Sequence, residues 1–169
     1  MATTFVKIQT VTVGAGGAAN IDFTNIPQTF NDLLVKISLR TDRGVAFDAL
    51  DYTFNNTSSN RNYRELYGNG ASTVSGNSTG GLAGYIPAAS ATGSVFGNSE
   101  IYIPNYTRSV VKSSSADSAG ETNATTAYTH LIANLWSDTA AITRITLSSA
   151  YSATLVQYTT ATLYGIKSS

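Results

Sequence analysis

From Thr160 to Ile166 the chain alternates, with Thr160, Thr162, Tyr164 and Ile166 on one side and Ala161, Leu163 and Gly165 on the other. A period of two belongs to a strand in a sheet, because helical side chains repeat at 3.6. The same beat runs through the sequence. Leu33, Val35, Ile37 and Leu39 oppose Leu34, Lys36, Ser38 and Arg40, and Leu50, Tyr52 and Phe54 repeat the pattern within residues 45–55. Between Tyr128 and Trp136, Thr129, Leu131, Ala133 and Leu135 oppose Tyr128, His130, Ile132, Asn134 and Trp136. Bulk on both sides predicts a strand covered on both faces. No stretch holds helical spacing, and residues 145–166 carry no Lys, Arg, Asp or Glu, so the last strand reads as interior or interfacial.

Shorter strands follow from the same rule at Tyr63–Tyr67, Glu100–Pro104, Val110–Ser115 and Ile142–Leu147. Near the start the apolar phase moves from Val6 and Ile8 to Val11 and Val13, which predicts a bulge or a change of sheet. The Gly14-Ala15-Gly16-Gly17 turn before Ile21 and Phe23 then suggests a first hairpin. The expected fold is all-β, a single β-sandwich domain over residues 1–169 with about 8 to 10 antiparallel strands. A jelly-roll-like arrangement is preferred to an immunoglobulin one because the chain lacks the Cys, Trp, Cys framework.

Residues 66–99 are the most biased stretch: uncharged and rich in Gly, Ser and Asn. Composition alone would make this a flexible linker. Linkers free in solution have little use for Leu82, Tyr85, Ile86, Val95 and Phe96, so the segment is expected to be an inserted loop or arm that docks through these side chains. Because ordering costs about 1 to 2 kcal/mol per residue, and a small sandwich offers little room, the expected dock is another subunit or a larger assembly.

Charge narrows the function classes. Only 12% of the chain is charged, and ten Lys and Arg balance ten Asp and Glu. This removes the basic footprint expected for nucleic acid or an anionic membrane. With 169 residues, the chain can bury about 70% of its unfolded surface, enough for a core without staples. Zero cysteines exclude disulfides, zinc-thiolate sites and thiol catalysis.

Catalytic constellations are thin. His130 is the sole histidine, placed mid-strand among bulky neighbours, where a structural role is expected over that of a base in a Ser-His-Asp array. One histidine and no cysteine leave no metal set, and no cofactor motif is present. Asp48 and Asp51 have opposite parity and cannot pair on one face. Glu65 and Glu100 could serve as acid and base of a glycosidase only if the sheet brought them together. The Asn-x-Ser/Thr matches at Asn55, Asn56, Asn77, Asn105 and Asn123 read as polar loops. Tyr52, Tyr63, Tyr67, Tyr85 and Trp136 could form a platform for sugar rings, although core or interface anchoring is the expected use; Tyr63 and Tyr67 join the five arm residues as candidate interface side chains.

The runs Phe5-Val6-Lys7-Ile8-x-x-Val11-Thr12-Val13-Gly14 and Ile21-x-Phe23-Thr24-x-Ile26-Pro27-x-Thr29-Phe30-x-Asp32-Leu33 carry a resemblance, with Ile101-Tyr102-Ile103-Pro104-Asn105-Tyr106, Leu135-Trp136-Ser137 and Thr162-Leu163-Tyr164-Gly165-Ile166. Together they resemble tailed-bacteriophage virion structural proteins. The likeness implies a non-enzymatic protein of the virion. Its expected form is a capsid decoration or cement protein, a homotrimer that binds the outer surface of the major capsid protein lattice and stabilises the head. Such a protein would be made in the host cytoplasm and end on the capsid surface, without nucleic acid or membrane partners. The alternative is a tail-fibre or receptor-binding module, in which case a glycan becomes the expected ligand.

Overall fold

The computed structural model describes residues 4–122 and 126–167; Asn123 and Met1 to Thr3 lie outside the described residues. Among the described residues there is no helix, and the chain forms twelve strands. They are β1 (Phe5–Thr12), β2 (Asn20–Phe23), β3 (Asp32–Leu39), β4 (Phe47–Phe54), β5 (Arg61–Gly68) and β6 (Thr73–Thr79). After these come β7 (Tyr85–Pro87), β8 (Gly97–Ile103), β9 (Lys112–Gly120), β10 (Tyr128–Trp136), β11 (Ile145–Ser149) and β12 (Thr160–Ile166). An eight-stranded sheet runs β1-β12-β3-β8-β9-β10-β5-β6 and a four-stranded sheet runs β2-β11-β4-β7. Every pairing is antiparallel.

Both sheets feed one core. Leu33, Val35, Ile37 and Leu39 of β3 are buried there, as are Leu50, Tyr52 and Phe54 of β4, in the phase that alternation predicts. The phases meet across the gap, where the Phe54 and Trp136 rings lie 5.5 Å apart and the Tyr52 hydroxyl sits 2.8 Å from Ser114 Oγ. The phase change in β1 is a register shift between Lys7 and Gln9 against β12. The expected first hairpin does not form: β1 lies beside β12 in the large sheet, and β2 lies beside β11 in the small one.

The segment 66–99 is not one long arm. It contains the end of β5, all of β6 and β7, and the start of β8, so nearly half of its residues have ladder partners. Between β6 and β7 the stretch Leu82-Ala83-Gly84 is buried, a position where a loop must find partners for its peptide groups. It does so. Asn134 Oδ1 accepts from Leu82 N at 2.9 Å while Asn134 Nδ2 donates to Leu82 O at 3.0 Å. Ala83 and Gly84 exchange backbone bonds with Leu50, and Ser99 Oγ donates to Ala83 O at 2.6 Å.

β10 also departs from expectation. Tyr128, His130, Ile132, Asn134 and Trp136 face inward, but Leu131 and Leu135 stand on an open outer face, with Leu131 63% exposed. Only one side of this strand is covered by the chain itself.

Candidate functional site

Eight strands outnumber four, and the end of the large sheet formed by β5 and β6 is the less covered one. On its inward side Tyr63, Glu65 and Tyr67 of β5 are half-buried, as are Val74 and Gly76 of β6, while Ser78 is exposed. A cleft of about 360 Å³ opens there, between Tyr63, Tyr85 and Tyr151. Its floor is an ion pair. Arg61 Nη1 donates to Asp51 Oδ1 at 2.8 Å and Nη2 to Oδ2 at 3.4 Å, a fork that fixes the carboxylate plane. Gly81 N donates to the same Oδ1 at 3.2 Å, and Arg61 Nη1 also reaches Tyr52 O. A Cβ on Gly81 would lie 2.5 Å from Tyr52 O, so the glycine is there to let the backbone reach the carboxylate. Tyr151 is held by the Arg43 guanidinium, 3.5 Å from its ring centroid.

Behind the cleft lies a cluster of rings. Tyr85 meets His130 edge-on at 4.6 Å and Tyr128 at 5.0 Å, Tyr67 lies 5.0 Å from His130, and Phe47 closes on Tyr128 at 4.7 Å. Burial pushes the Tyr85 phenol up to about 12 and raises the Tyr63 phenol too, so both remain neutral hydroxyls at ordinary pH. His130 is 1% exposed, with Ser118 Oγ 3.4 Å from Nδ1 and Glu65 Oε2 3.5 Å from Nε2. Serine, histidine and acid are thus adjacent, yet Ser118 is buried and its Oγ packs against Gly84, facing the interior of the sandwich.

Burial lowers His130 to about 4 and raises the Glu65 carboxyl. Between about pH 4 and 6.5 the unfolded chain holds a proton on this histidine while the folded ring holds none, and the raised Glu65 carboxyl opposes part of that difference because it takes up a proton more readily in the folded state. Stability should therefore fall less with dropping pH than the histidine alone would dictate. In Glu65→Gln the compensation is gone: the folded site binds no proton where the unfolded histidine binds one, so stability falls as pH drops from 6.5 towards 4. The expected loss is about 3 kcal/mol, read from urea titrations at the two ends of the range. A flat profile in Glu65→Gln would show that His130 is not held neutral.

The sequence-predicted side chains separate into groups. Leu82 and Ile86 belong to the chain's own core. Val95 and Phe96 are half-buried, in a loop tied down by the buried Arg40, whose guanidinium donates to the carbonyls of Thr92 at 2.8 Å, Val95 at 3.0 Å, Ala91 at 3.1 Å and Ala89 at 3.4 Å. Leu82 and Ile86 of the expected arm thus pack within their own subunit, where β7 lies against β8 and β9. Tyr63, Tyr67 and Tyr85 do come together, while Tyr52 and Trp136 of the presumed platform are core. Glu65 and Glu100 do not meet: Glu65 is inward on β5, and Glu100 is on the outer face of β8, paired with Lys36. Asp51, Arg61 and Tyr151 were not legible as site residues. Opposite parity separated Asp51 from Asp48, but nothing local links it to a tyrosine a hundred positions away.

The outer face of the large sheet is graded. Lys36, Glu100 and the 3.0 Å Thr10–Thr162 hydroxyl pair make its β1-β12-β3-β8 half polar. On β10 and β5, Leu131, Leu135 and Leu66 are exposed, with Ala133 between them and Arg64 and Asp117 to either side. Among the described residues no group of His, Cys, Asp and Glu has the geometry to hold a metal ion, and no helix is long and apolar enough to cross a membrane. Compared with protein-family models, curated proteins and solved structures, the chain matches none.

Proposed function

We propose that this chain is a non-enzymatic structural subunit of a bacteriophage virion. In this reading it is a jelly-roll-like sandwich that assembles as a homotrimer, decorates the outer surface of a capsid lattice and stabilises the head. The observation that supports it is the open face of β10 and β5. Exposed single leucines are ordinary, but Leu66 and Leu131 are direct cross-strand neighbours, and Leu135 continues the row along β10. Arg64 and Asp117 lie on opposite flanks of that row, so a second copy can bring acid to base while it covers the leucines. A weakly charged surface also lowers the desolvation cost of such packing.

Light scattering on the purified chain should give a stable oligomer, most simply a trimer. Leu131→Asp should weaken it by at least about 100-fold, since burial of one leucine is worth about 1.5 to 3 kcal/mol and a carboxylate in its place opposes association. The variant should still fold, with an unchanged far-UV circular dichroism spectrum, because the side chain is exposed within the subunit. A wild-type chain that stays monomeric at micromolar concentration and binds no capsid would sink this reading. The second reading, a tail-fibre or receptor-binding module, is favoured by the tyrosine-lined cleft. Antibody labelling of whole particles separates the two, with heads decorated in the first case and tails in the second.

A further inference from the structure

We infer that the cleft between Tyr63, Tyr85 and Tyr151 is a binding site for a neutral pyranose sugar, either free or as the terminal residue of a glycan. This deepens the second reading above by naming its site and ligand class, and it is independent of how the outer face assembles.

The chemistry of the walls selects the ligand. Three tyrosines around a space of about 360 Å³ place apolar ring faces beside hydroxyl groups, which suits a pyranose: C–H groups on its faces and hydroxyls at its rim. The volume lies at the small end of the roughly 300 to 1,000 Å³ usual for ligand sites, enough for one or two rings. Tyr63 and Tyr85 keep their phenolic protons, so each both donates and accepts. Asp51 is the fixed acceptor. Its carboxylate is held by Arg61 and Gly81 N, so it is already oriented before a ligand arrives, and its side chain remains 22% exposed.

Other ligand classes fit less well. A phosphate or carboxylate ligand would meet Asp51, whose charge is matched by Arg61 and leaves no net positive site. A wholly apolar ligand would displace water from the exposed part of the Asp51 carboxylate and from the phenols without replacing its hydrogen bonds. A neutral polyol satisfies both the charge balance and the hydroxyl pattern. The walls are also rigid: Gly81 admits no side chain, Tyr85 is locked into the ring cluster behind it, and Arg43 covers one face of Tyr151.

The test uses the full chain with methyl glycosides of glucose, galactose, mannose and N-acetylglucosamine in saturation-transfer NMR, and a glycan array displaying the same sugars as termini. At least one glycoside should bind in the millimolar range, with transfer to protons on one ring face. Tyr63→Ala and Tyr151→Ala should each weaken binding by about tenfold or more, while Tyr158→Ala, an exposed tyrosine outside the cleft, should leave it unchanged. Binding to the array without binding to free glycosides assigns the site to extended glycans; the reverse assigns it to free sugar. Each variant's melting curve and oligomer mass are measured alongside, so failure of assembly and failure of sugar binding are told apart. No binding in either format, or binding indifferent to both Tyr63→Ala and Tyr151→Ala, overturns the inference.

Discussion

Gly84→Ala is expected to leave a chain that does not hold its native fold, at a cost of at least about 4 kcal/mol. The added Cβ would lie 1.8 Å from Ser118 Oγ and 2.4 Å from Ser118 Cβ. Rotation of the serine could remove its hydroxyl but not its Cβ, which is fixed by the β9 backbone. Gly84 cannot retreat either, since its carbonyl accepts from Leu50 N at 2.9 Å and its neighbour Ala83 donates to Leu50 O at 2.8 Å. Its φ of +114° adds a conformational penalty for any L side chain. Urea unfolding followed by far-UV circular dichroism measures the loss. Adding Ser118→Gly removes both clashing atoms and leaves the Ser118 Cα 3.7 Å away, so the double variant should regain part of the stability but not the share due to φ. A Gly84→Ala protein within about 1 kcal/mol of wild type would show that the two sheets yield at this point, contrary to the close packing of protein interiors.

Asn134→Leu is expected to cost about 3 to 5 kcal/mol even though it adds apolar volume. The asparagine amide is the partner of both Leu82 N and Leu82 O, and its removal leaves two buried peptide groups without hydrogen bonds, at about 1 to 3 kcal/mol each. Asn134→Asp should do poorly as well, since a carboxylate still accepts from Leu82 N but cannot donate to Leu82 O. Hydrogen exchange gives a local reading: the Leu82 amide, protected in the wild type, should exchange fast in Asn134→Leu while the amides of β3 stay protected. Uniform loss across the sheet would mean that the effect is global.

Alternation made β3, β4 and β10 legible because one face of each meets the core and a slip of one residue would reverse every side chain. It could not reveal partners. β12 takes its place between β1 and β3, which are far from it in the chain, and no local pattern encodes that choice. The reading of residues 66–99 as an arm failed for a different reason. A glycine-rich composition does not distinguish an arm from a tightly packed segment, and here Gly76 lies against Glu65, Gly81 against Tyr52 O, Gly84 against Ser118 and Gly97 against Pro87. These glycines mark close approach rather than mobility. Of the cleft, Tyr63 and Tyr85 were visible as aromatic residues in a chain that uses tyrosine freely. Their convergence on Asp51, Arg61 and Tyr151 is a product of the fold, since these residues come from β4, β5, the start of β7 and the turn after β11.

The position of β12 also sets the order in which the molecule can be finished. Thr162 pairs with Thr10 on one side and Lys36 on the other, so the two strands that it joins are synthesised long before it. At ~5 to 20 residues per second, β3 waits on the order of ten seconds for its neighbour. During that time a strand bearing Leu33, Val35, Ile37 and Leu39 has one edge without its native partner. Closure over so long a sequence separation belongs to the slow class of β folds. The burden of keeping nascent copies apart therefore falls on the interval before Thr160 emerges, when one chain's open edge can pair with another's.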